Sequence, residues 1–381
     1  MGKKLKYLDK TLLIVSIILF VIGLVMIFSA SNVTAYMTHA KSPYSYFIRQ
    51  SAFLIAGIIL FFIIIVFNTK TSGKLSRLLM FIVIGALVAV LVYGAIRNQA
   101  RSWFQLKQFT IQPSEFAKVI TIAYLAEYYE ENKNRLNGWI RSLLPIILCI
   151  GIAILIFIQP DLGTMIIYTF IVAGIFFAQP MSKEIKYKIG FMTLALFIIG
   201  IAIIMGPGKN ILEDRQKERF NFMNPCERIL GDGNQVCNCY IAINNGGLTG
   251  VGLGNSTQKY LYLPEPYTDF IYAIIVEELG VVVGIIILLM YALVIFRILM
   301  IGKKSPTNRG ATICYGVALY IILHIAVNLL GIMGLMPMTG VPLPFMSYGG
   351  SYTLCLVAAL TLVQRVSIEN GILKEKSGKN A

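Results

Sequence analysis

Charged residues and histidines are scarce in this chain of 381 residues. Asp, Glu, Lys and Arg together make up 13% of it, about half the share found in a soluble domain. That scarcity excludes a soluble enzyme, a disordered regulator, a collagen-like chain and a disulfide scaffold. The two histidines, His39 and His324, lie far apart, so a structural zinc site is not expected. Hydrophobic residues make up 57% of the chain, which indicates a polytopic membrane protein.

Apolar runs of membrane-spanning length recur along the chain. A helix needs about 20 apolar residues to cross the hydrocarbon core. The sequence predicts about ten such helices, an all-α membrane fold in a single domain over residues 1–381. A long loop at about 206–268 separates the seventh span from the eighth, and a tail follows at about 367–381. The predicted spans are 11–30, 51–67, 78–96, 112–126, 143–158, 162–178, 189–205, 270–295, 311–333 and 352–366.

The basic residues indicate the orientation of the spans. Lys and Arg number 33, against 18 Asp and Glu. If both termini are cytoplasmic, most of the basic residues fall in cytoplasmic segments, as the positive-inside rule requires. Many of the others fall in the long outer loop, which that rule weighs lightly. Topology therefore explains the net charge of +15, and we expect no nucleic-acid partner.

The long loop contains a charged stretch, many turns and three cysteines. Residues 213–219 predict a short interfacial helix, and Gly-rich turns follow at 244–254. No strand precedes these glycines, so a dinucleotide site is not expected. Cys226, Cys237 and Cys239 allow one disulfide, from Cys226 to either of the other two, and one free thiol.

Some ionisable side chains fall inside the predicted spans, where they are costly and need a reason. Glu115 and Lys118 are three residues apart on one helical face and could neutralise each other. Asp161, at the break between two spans, could join them. Two interpretations stay open. The three residues form an ion pair that holds three helices together, or they form the polar floor of a substrate cavity.

Asp269 lies at the start of the eighth predicted span. It follows Thr268, a favourable N-cap residue, so we expect it in the first helical turn, facing the outer surface. On spacing alone, an acid there could simply complement the helix dipole. Glu277 and Glu278 lie roughly 80° and 180° around the helix from Asp269, because each residue advances it by about 100°, so they cannot both share its face. A paired-carboxylate glycosidase site within this helix is therefore not supported.

The segment before the last span is rich in proline and glycine. Residues 338–351 read MTGVPLPFMSYGGS. Such residues at membrane depth break helices and free backbone groups, which is tolerated where protein or a water-filled cavity receives them. The segment is therefore either a broken, re-entrant stretch that lines a polar site or a tight connecting loop.

Four motifs occur in a fixed order along the chain. Residues 112–118 read QPSEFAK, 159–164 read QPDLGT, 263–271 read LPEPYTDFI and 340–351 read GVPLPFMSYGGS. Together they resemble the SEDS family (shape, elongation, division and sporulation), of which FtsW and RodA are members. The resemblance covers nearly the whole chain, including ten spans and the long outer loop. The loop departs from the family pattern at residues 234–235, 244–247 and its cysteines, which leaves the four motifs intact.

The resemblance implies a peptidoglycan glycosyltransferase. Such an enzyme polymerises lipid II into β-1,4-linked glycan strands at the outer face of a bacterial cytoplasmic membrane. It implies that Asp269 is catalytic and accepts a proton from the attacking hydroxyl. The implied partners are lipid II, the nascent strand, a class B penicillin-binding transpeptidase, and proteins of the divisome or elongasome. The run at 258–265 leans slightly toward the division type.

Further residues are predicted around Asp269. Cations there would stabilise the leaving pyrophosphate. The candidates are Arg101, Arg215, Arg219 and Lys259. A divalent cation such as Mg²⁺ or Mn²⁺ could serve the same purpose, although no carboxylate cluster dictates a metal site. The predicted substrate-binding or structural polar network comprises Arg101, Trp103, Glu115, Lys118, Asp161, Lys259, Glu265, Thr268, Ser347 and Ser351.

Two other functional classes share these features. A transporter that moves lipid II or another amphiphile would also have broken helices and intramembrane charges. Against it, the two halves of the sequence have no evident inverted repeat, and Asp269 lies at one face rather than at the midplane. A non-catalytic scaffold for a transpeptidase is the third class.

Overall fold

A computed structural model describes most of the chain. It covers residues 5–39, 42–97, 100–106, 109–136, 138–192, 195, 224–227, 233–260 and 262–379. The helices are α1 (Lys10–His39), α2 (Ser45–Val66), α3 (Thr69–Tyr93), α4 (Pro113–Glu131), α5 (Trp139–Ile158), α6 (Leu162–Ala178), α7 (Gly233–Gly246), α8 (Ile271–Lys303), α9 (Asn308–Ile332) and α10 (Gly350–Lys379). Two short 3₁₀ helices cover Lys133–Arg135 and Pro225–Glu227.

The chain is a mostly helical, polytopic membrane protein, as the sequence predicts. Within the described residues, seven helices are long and apolar enough to cross a bilayer: α1, α2, α3, α5, α8, α9 and α10. The apolar helix α6 is shorter, and α4, the predicted fourth span, carries Glu115 and Lys118. Residues 183–192 are helical, but most of the predicted seventh span lies outside the described residues. The count of ten spans therefore stays a prediction.

Polar side chains at the helix starts explain where several helices begin. Asn68 accepts a hydrogen bond from the backbone N–H of Thr71 and caps α3. Thr307 caps α9 in the same way. These bonds satisfy donors that the first helical turn leaves without an intrahelical partner.

A small antiparallel sheet joins α3 to α4. Its strands are β1 (Ala95–Arg97), β2 (Ala100–Leu106) and β3 (Phe109–Ile111), in the order β1-β2-β3. The all-α prediction did not include these strands, and the predicted third span, 78–96, extended into β1. The apolar run continues past Tyr93 into residues that pair across strands, with Ala95 opposite Trp103. Apolar periodicity alone cannot separate such a short strand from the end of a helix.

Both terminal segments lie at one end of the helix bundle. Arg297 forms an ion pair with Asp9 just before α1, and the Gln364 amide of α10 donates to the Asp9 carbonyl at 3.0 Å. Ser367 donates to the Tyr7 carbonyl at 3.0 Å. We call this the terminal end. The β-strands and the first residue of α10, Gly350, lie at the opposite end, which we call the sheet end.

Helices α2 and α10 close the bundle. The buried amide of Gln50 donates to the Thr353 hydroxyl at 2.9 Å, and the two residues are 303 positions apart in the chain. Its oxygen accepts from the backbone N–H of Gly349 at 3.3 Å. Arg365 donates to the Ile65 carbonyl at 3.1 Å. Polar contacts therefore join the second helix to the last along their length.

Helix α8 is interrupted at Gly280. This residue has φ 87° and ψ 163°, a backbone conformation essentially limited to glycine. The break frees backbone groups on both sides. Residues 246–254, which we call the glycine loop, supply their partners. The Val251 N–H donates to the Glu277 carbonyl at 3.0 Å, and the Val281 N–H donates to the Gly247 carbonyl at 2.9 Å.

The two parts of α8 have different surroundings. We call residues 271–279 the upper part and 281–303 the lower part. Every residue of the upper part from Ile271 to Glu278 is buried within the protein. The lower part has an exposed apolar face, where Val282, Ile285 and Leu289 have exposed fractions of 50%, 51% and 64%. In a membrane protein such a face lies against lipid.

Residues 333–349, between α9 and α10, enter the bundle and return to the sheet end. Leu343 and Met346 in this segment are fully buried. The Phe345 ring lies 4.8 Å from that of Phe20, in the middle of α1. The Tyr291 hydroxyl of α8 donates to the Pro344 carbonyl. The segment is therefore re-entrant. Of the two interpretations left open by the sequence, the broken, re-entrant stretch is confirmed and the tight connecting loop is not. We call it the re-entrant segment.

Candidate active site

Asp269 lies in a turn that precedes α8. The helix begins at Ile271, after Phe270, and has no side-chain cap. The prediction that Thr268 caps the helix and places Asp269 in its first turn is therefore wrong. The physical reason is a preceding turn: the backbone N–H and the hydroxyl of Thr268 both donate to the Glu265 carbonyl, at 3.0 and 2.8 Å. Glu265 has φ 47° and starts this turn.

The re-entrant segment clamps the turn that carries Asp269. The Ser347 hydroxyl donates to the Thr268 carbonyl at 2.6 Å and accepts from the Leu343 N–H at 2.8 Å. The Tyr348 N–H donates to the Tyr267 carbonyl at 2.9 Å. Ser347, predicted as a network residue, therefore acts through the backbone, and the turn is held on both sides of Thr268.

Asn328 of α9 connects Asp269 to the same segment. Its buried amide donates to the Asp269 carbonyl at 2.8 Å and to the Val341 carbonyl at 2.9 Å. The sequence reading missed this residue. An amide within a predicted membrane span was the available signal, because such groups need polar partners.

The Asp269 carboxylate is half-buried and faces bare backbone at Gly340. Gly340 has φ 71°, and a Cβ built there would lie 3.4 Å from Oδ2 of Asp269. A glycine at this position leaves room directly beside the carboxylate. The geometry therefore provides an acid on a held backbone, with no side chain on Gly340 directly beside it.

The start of α6, which Asp161 caps, packs against the re-entrant segment. The Asp161 carboxylate caps α6 by accepting from the Thr164 N–H at 3.1 Å, and it accepts from the Gln112 amide at 2.8 Å. A Cβ on Gly163 would come within 2.7 Å of the Thr339 side chain. The motifs at 159–164 and 263–271 therefore both contact the re-entrant segment.

Glu115 and Lys118 form a buried ion pair of 2.8 Å within α4. The Lys118 ammonium also lies 2.9 Å from Nε2 of His324 on α9. Asp161 joins the start of α4 through the Gln112 amide and not through an ion pair with Lys118. His324, and not Asp161, lies beside the Lys118 ammonium. The sequence reading missed it because α4 and α9 are far apart along the chain.

Ser351 connects the sheet to this region. The Ser351 hydroxyl accepts from the Gln112 N–H at 3.1 Å and donates to the Thr110 carbonyl at 3.3 Å. It therefore ties the start of α10 to the junction of β3 and α4. Trp103 is half-buried in β2.

Lys259 is fully enclosed by protein. Its ammonium lies 2.9 Å from the Glu278 carboxylate and 2.6 Å from the Gly254 carbonyl, and Ser29 of α1 donates to Glu278 at 2.6 Å. This pairing places Lys259 in the structural network and not among cations open to a substrate. The Arg101 side chain, Arg215, Arg219 and the predicted helix at 213–219 lie outside the described residues.

Glu277 fastens the outer loop to the upper part of α8. Its carboxylate accepts from the Thr257 hydroxyl at 2.9 Å and from the Ser256 hydroxyl. Glu277 and Glu278 therefore have different partners. Their role in holding the loop was not predicted.

The cysteine pairing that the sequence left open is Cys226 with Cys237. Cys239 is free and buried in α7, and burial raises the pKa of its thiol. A thiol held in its protonated form is a poor nucleophile. Within the described residues, no three His, Cys, Asp or Glu side chains cluster as metal ligands.

Comparison with known families covers almost the whole chain. The sequence profile of the FtsW, RodA and SpoVE family, described as cell cycle proteins, matches residues 9–371. A protein of Bacillus subtilis (strain 168) named probable peptidoglycan glycosyltransferase FtsW is 33% identical over 370 residues, covering 96% of this chain and 92% of that protein. Stage V sporulation protein E of the same strain is 37% identical over 366 residues, covering 94% and 96%.

Solved structures match the same length of chain. One, titled as the structural coordination of polymerization and crosslinking by a peptidoglycan synthase complex, has a TM-score of 0.74 at 25% identity and covers 94% of this chain and 97% of that one. An aspartate-to-alanine variant of the rod shape determining protein RodA from Thermus thermophilus has a TM-score of 0.65 at 25% identity, with the same coverage.

Proposed function

The chain belongs to the FtsW, RodA and SpoVE family of cell cycle proteins and is a peptidoglycan glycosyltransferase, and we propose that it polymerises lipid II at Asp269. One observation carries the proposal. The Asp269 turn is held by backbone contacts from the re-entrant segment and Asn328, while its half-buried carboxylate lies beside Gly340, which has no side chain. A reacting hydroxyl can reach a carboxylate in such a position, and a fixed backbone keeps the geometry productive.

The reaction needs a base and a leaving group. The 4-hydroxyl of the acceptor sugar attacks the anomeric carbon of the donor, and a new carbon–oxygen bond forms with inversion. The bond from that carbon to the lipid pyrophosphate breaks, and the pyrophosphate leaves with the electron pair. Asp269 accepts the hydroxyl proton as the new bond forms, a role for which carboxylates are suited when they lie within hydrogen-bond reach.

A divalent cation, Mg²⁺ or Mn²⁺, is part of the proposal. The described residues offer no cluster of three His, Cys, Asp or Glu side chains as metal ligands, so substrate phosphates and water would supply most of the ligands of the cation, as is usual for Mg²⁺. When bound, the cation would neutralise charge on the leaving pyrophosphate.

We place the sheet end at the outer face of a bacterial cytoplasmic membrane and both termini in the cytoplasm. Two observations support this orientation. The terminal segments pack together at one end, and Arg77, Arg297 and Arg309 lie at that end in ion pairs. An excess of basic residues marks the cytoplasmic side. Asp269 then faces the leaflet where lipid-linked sugars would be joined.

The proposed partner is a class B penicillin-binding transpeptidase, within a divisome or elongasome. The structural neighbour titled as a synthase complex coordinates polymerization with crosslinking, which supports a partner of this kind. The relatives named FtsW favour the division type. The names of the relatives also favour an enzyme over a lipid II transporter or a scaffold.

Polymerisation of labelled lipid II by the purified chain, alone and with its transpeptidase, tests the proposal. Wild-type protein should form long strands, and Asp269→Asn should lose at least about 100-fold in rate, the usual contribution of a positioned base. Glu227→Gln is the matched control, because it removes an exposed carboxylate elsewhere in the outer loop and should keep full activity. Equal rates for wild type and a folded Asp269→Asn would remove Asp269 from the mechanism. No strands under any condition would favour transport or scaffolding.

A further inference from the structure

The glycine loop exposes apolar side chains although it lies outside the helices. Leu248, Val251 and Leu253 have exposed fractions of 71%, 40% and 55%. The surrounding stretch, 233–258, contains no Asp, Glu, Lys or Arg. Soluble loops rarely combine exposed apolar side chains with a complete lack of charge, and such patches mark a surface that something covers.

The loop continues the lipid-facing surface of α8. The Val282 N–H donates to the Leu248 carbonyl at 3.3 Å. Val282 opens the exposed apolar face that runs down the lower part of the helix through Ile285 and Leu289. Leu248 therefore lies beside a face that lipid covers, with no polar side chain between the two.

Backbone pairing allows the loop to enter an apolar environment. Unpaired N–H and C=O groups are costly there, but the loop uses its groups to fill the break at Gly280. Gly252 donates to the Glu278 carbonyl at 3.0 Å, and Gly250 donates to the Gly246 carbonyl at 2.8 Å. Together with the bonds of Val251 and Gly247, these contacts satisfy much of the loop backbone without water.

Two helices place the loop near the edge of the hydrocarbon core. Arg297 on α8 and Lys10 on α1 both lie at the terminal end and serve as the starting level. At about 1.5 Å per residue, the rise from Arg297 to Gly280 is about 26 Å, and the rise from Lys10 to Ser29 is about 28 Å. Ser29 contacts Glu278 at 2.6 Å, so both measures reach the same level. The hydrocarbon core is about 30 Å thick, so the loop lies at its boundary.

We propose that the glycine loop is a membrane anchor, which inserts Leu248, Val251 and Leu253 into the leaflet at the sheet end. The occupant of this surface is the acyl region of the phospholipid bilayer. The anchor lies next to the break in α8 and is independent of the glycosyl transfer proposed above. It holds the outer loop, and with it the upper part of α8, at a fixed height relative to the lipid.

Spin labels at Leu248→Cys and Leu253→Cys in the full-length chain test this proposal. The free cysteines, Cys149, Cys239, Cys314 and Cys355, are all buried, and the other two form the disulfide, so labelling will be selective. The protein is reconstituted into vesicles of phosphatidylethanolamine and phosphatidylglycerol. Collision rates with oxygen, which concentrates in lipid, are compared with those of a water-soluble nickel chelate.

Two reference labels calibrate the measurement. Ile285→Cys lies on the lipid-facing side of α8, and Ser377→Cys is exposed at the terminal end. Labels at Leu248 and Leu253 should resemble Ile285, with oxygen collisions several-fold above those of the chelate. Values that match Ser377 would overturn the proposal. Low collision rates with the nickel chelate that appear only when the transpeptidase is added would also overturn it, in favour of a protein-docking surface.

Discussion

The upper and lower parts of α8 belong to one helix in the sequence but to two environments in the protein. The upper part, 271–279, is enclosed by the outer loop and carries Glu277 and Glu278. The lower part, 281–303, is uncharged from Val281 to Phe296 and presents an apolar face to lipid. Gly280 separates them. Hydrophobicity alone does not distinguish a helix buried in protein from one that faces lipid.

The difference shows what each part can contribute. In the upper part, the buried acids are stabilised because the loop supplies hydroxyls, backbone N–H groups and Lys259 as partners. In the lower part, a charge on the lipid-facing side would have no partner and would cost a few kcal/mol. In α8 the acids and their polar partners therefore lie on the side of Gly280 that is nearer the sheet end.

The largest effect should come from breaking the Lys259–Glu278 pair. Glu278→Ala leaves the Lys259 ammonium buried without its carboxylate, which we expect to cost about 3 to 5 kcal/mol in the free energy of unfolding. The measurement is SDS-induced unfolding in mixed micelles.

A double variant provides the matched control for that pair. Lys259→Met with Glu278→Met removes both charges, and it should recover most of the stability lost in the single variant, because a buried ion pair can often be replaced by apolar side chains at little cost. If the double variant is as unstable as Glu278→Ala, the loss of stability does not come from an unpaired buried charge, and the proposed difference between the two parts is contradicted.

Gly280→Ala should have the next largest effect. Its positive φ costs a non-glycine residue about 1 to 3 kcal/mol, and the new Cβ would meet the Gly250 backbone nitrogen at 2.6 Å. The variant should unfold at lower SDS, and hydrogen exchange should rise in the glycine loop.

Gly85→Ala in α3 serves as the control glycine, because a Cβ there meets nothing within 4 Å. It should be neutral or stabilise α3 by up to about 1 kcal/mol. Similar behaviour of the two variants would mean that α8 passes Gly280 as a continuous helix, and the division into two parts would fail.

The smallest effect should appear in a pair of identical substitutions. Ile275→Val in the fully buried upper part should cost about 0.5 to 1.5 kcal/mol, because it leaves a small cavity. Ile285→Val on the lipid-facing side should cost less, since lipid chains fill the space that the lost methylene leaves. Equal costs, measured under the same SDS titration, would contradict the assignment of one environment to protein and the other to lipid.

Much of the fold could be predicted from the sequence, because apolar length dictates membrane spans. The predicted span at 162–178 coincides with α6, and that at 270–295 lies within α8 except for its first residue. The break at Gly280 could not be predicted, because a single glycine is tolerated inside an apolar helix. What decides the break is pairing with residues 246–254, which is a non-local contact.

The candidate site was predictable in its residues but not in its connections. The motifs pointed to Asp269, Asp161, Glu115 and Lys118, and the structure brings the segments that carry them onto or near the re-entrant segment. The polar partners His324 and Asn328 belong to a helix that spacing alone could not place beside them. Thr268 was assigned as a cap from local preference, and the turn from Glu265 overrode that preference.

The bond between Gln50 and Thr353 sets a waiting time during synthesis. A ribosome that adds about 5 to 20 residues per second needs about 15 to 60 s to make the 303 residues between them. Throughout that interval the Gln50 amide of α2 has not yet met its native partner on α10. The nascent bundle therefore lacks the contacts between α2 and α10 until the last helix arrives, and a chain truncated before Gly350 would lack them altogether.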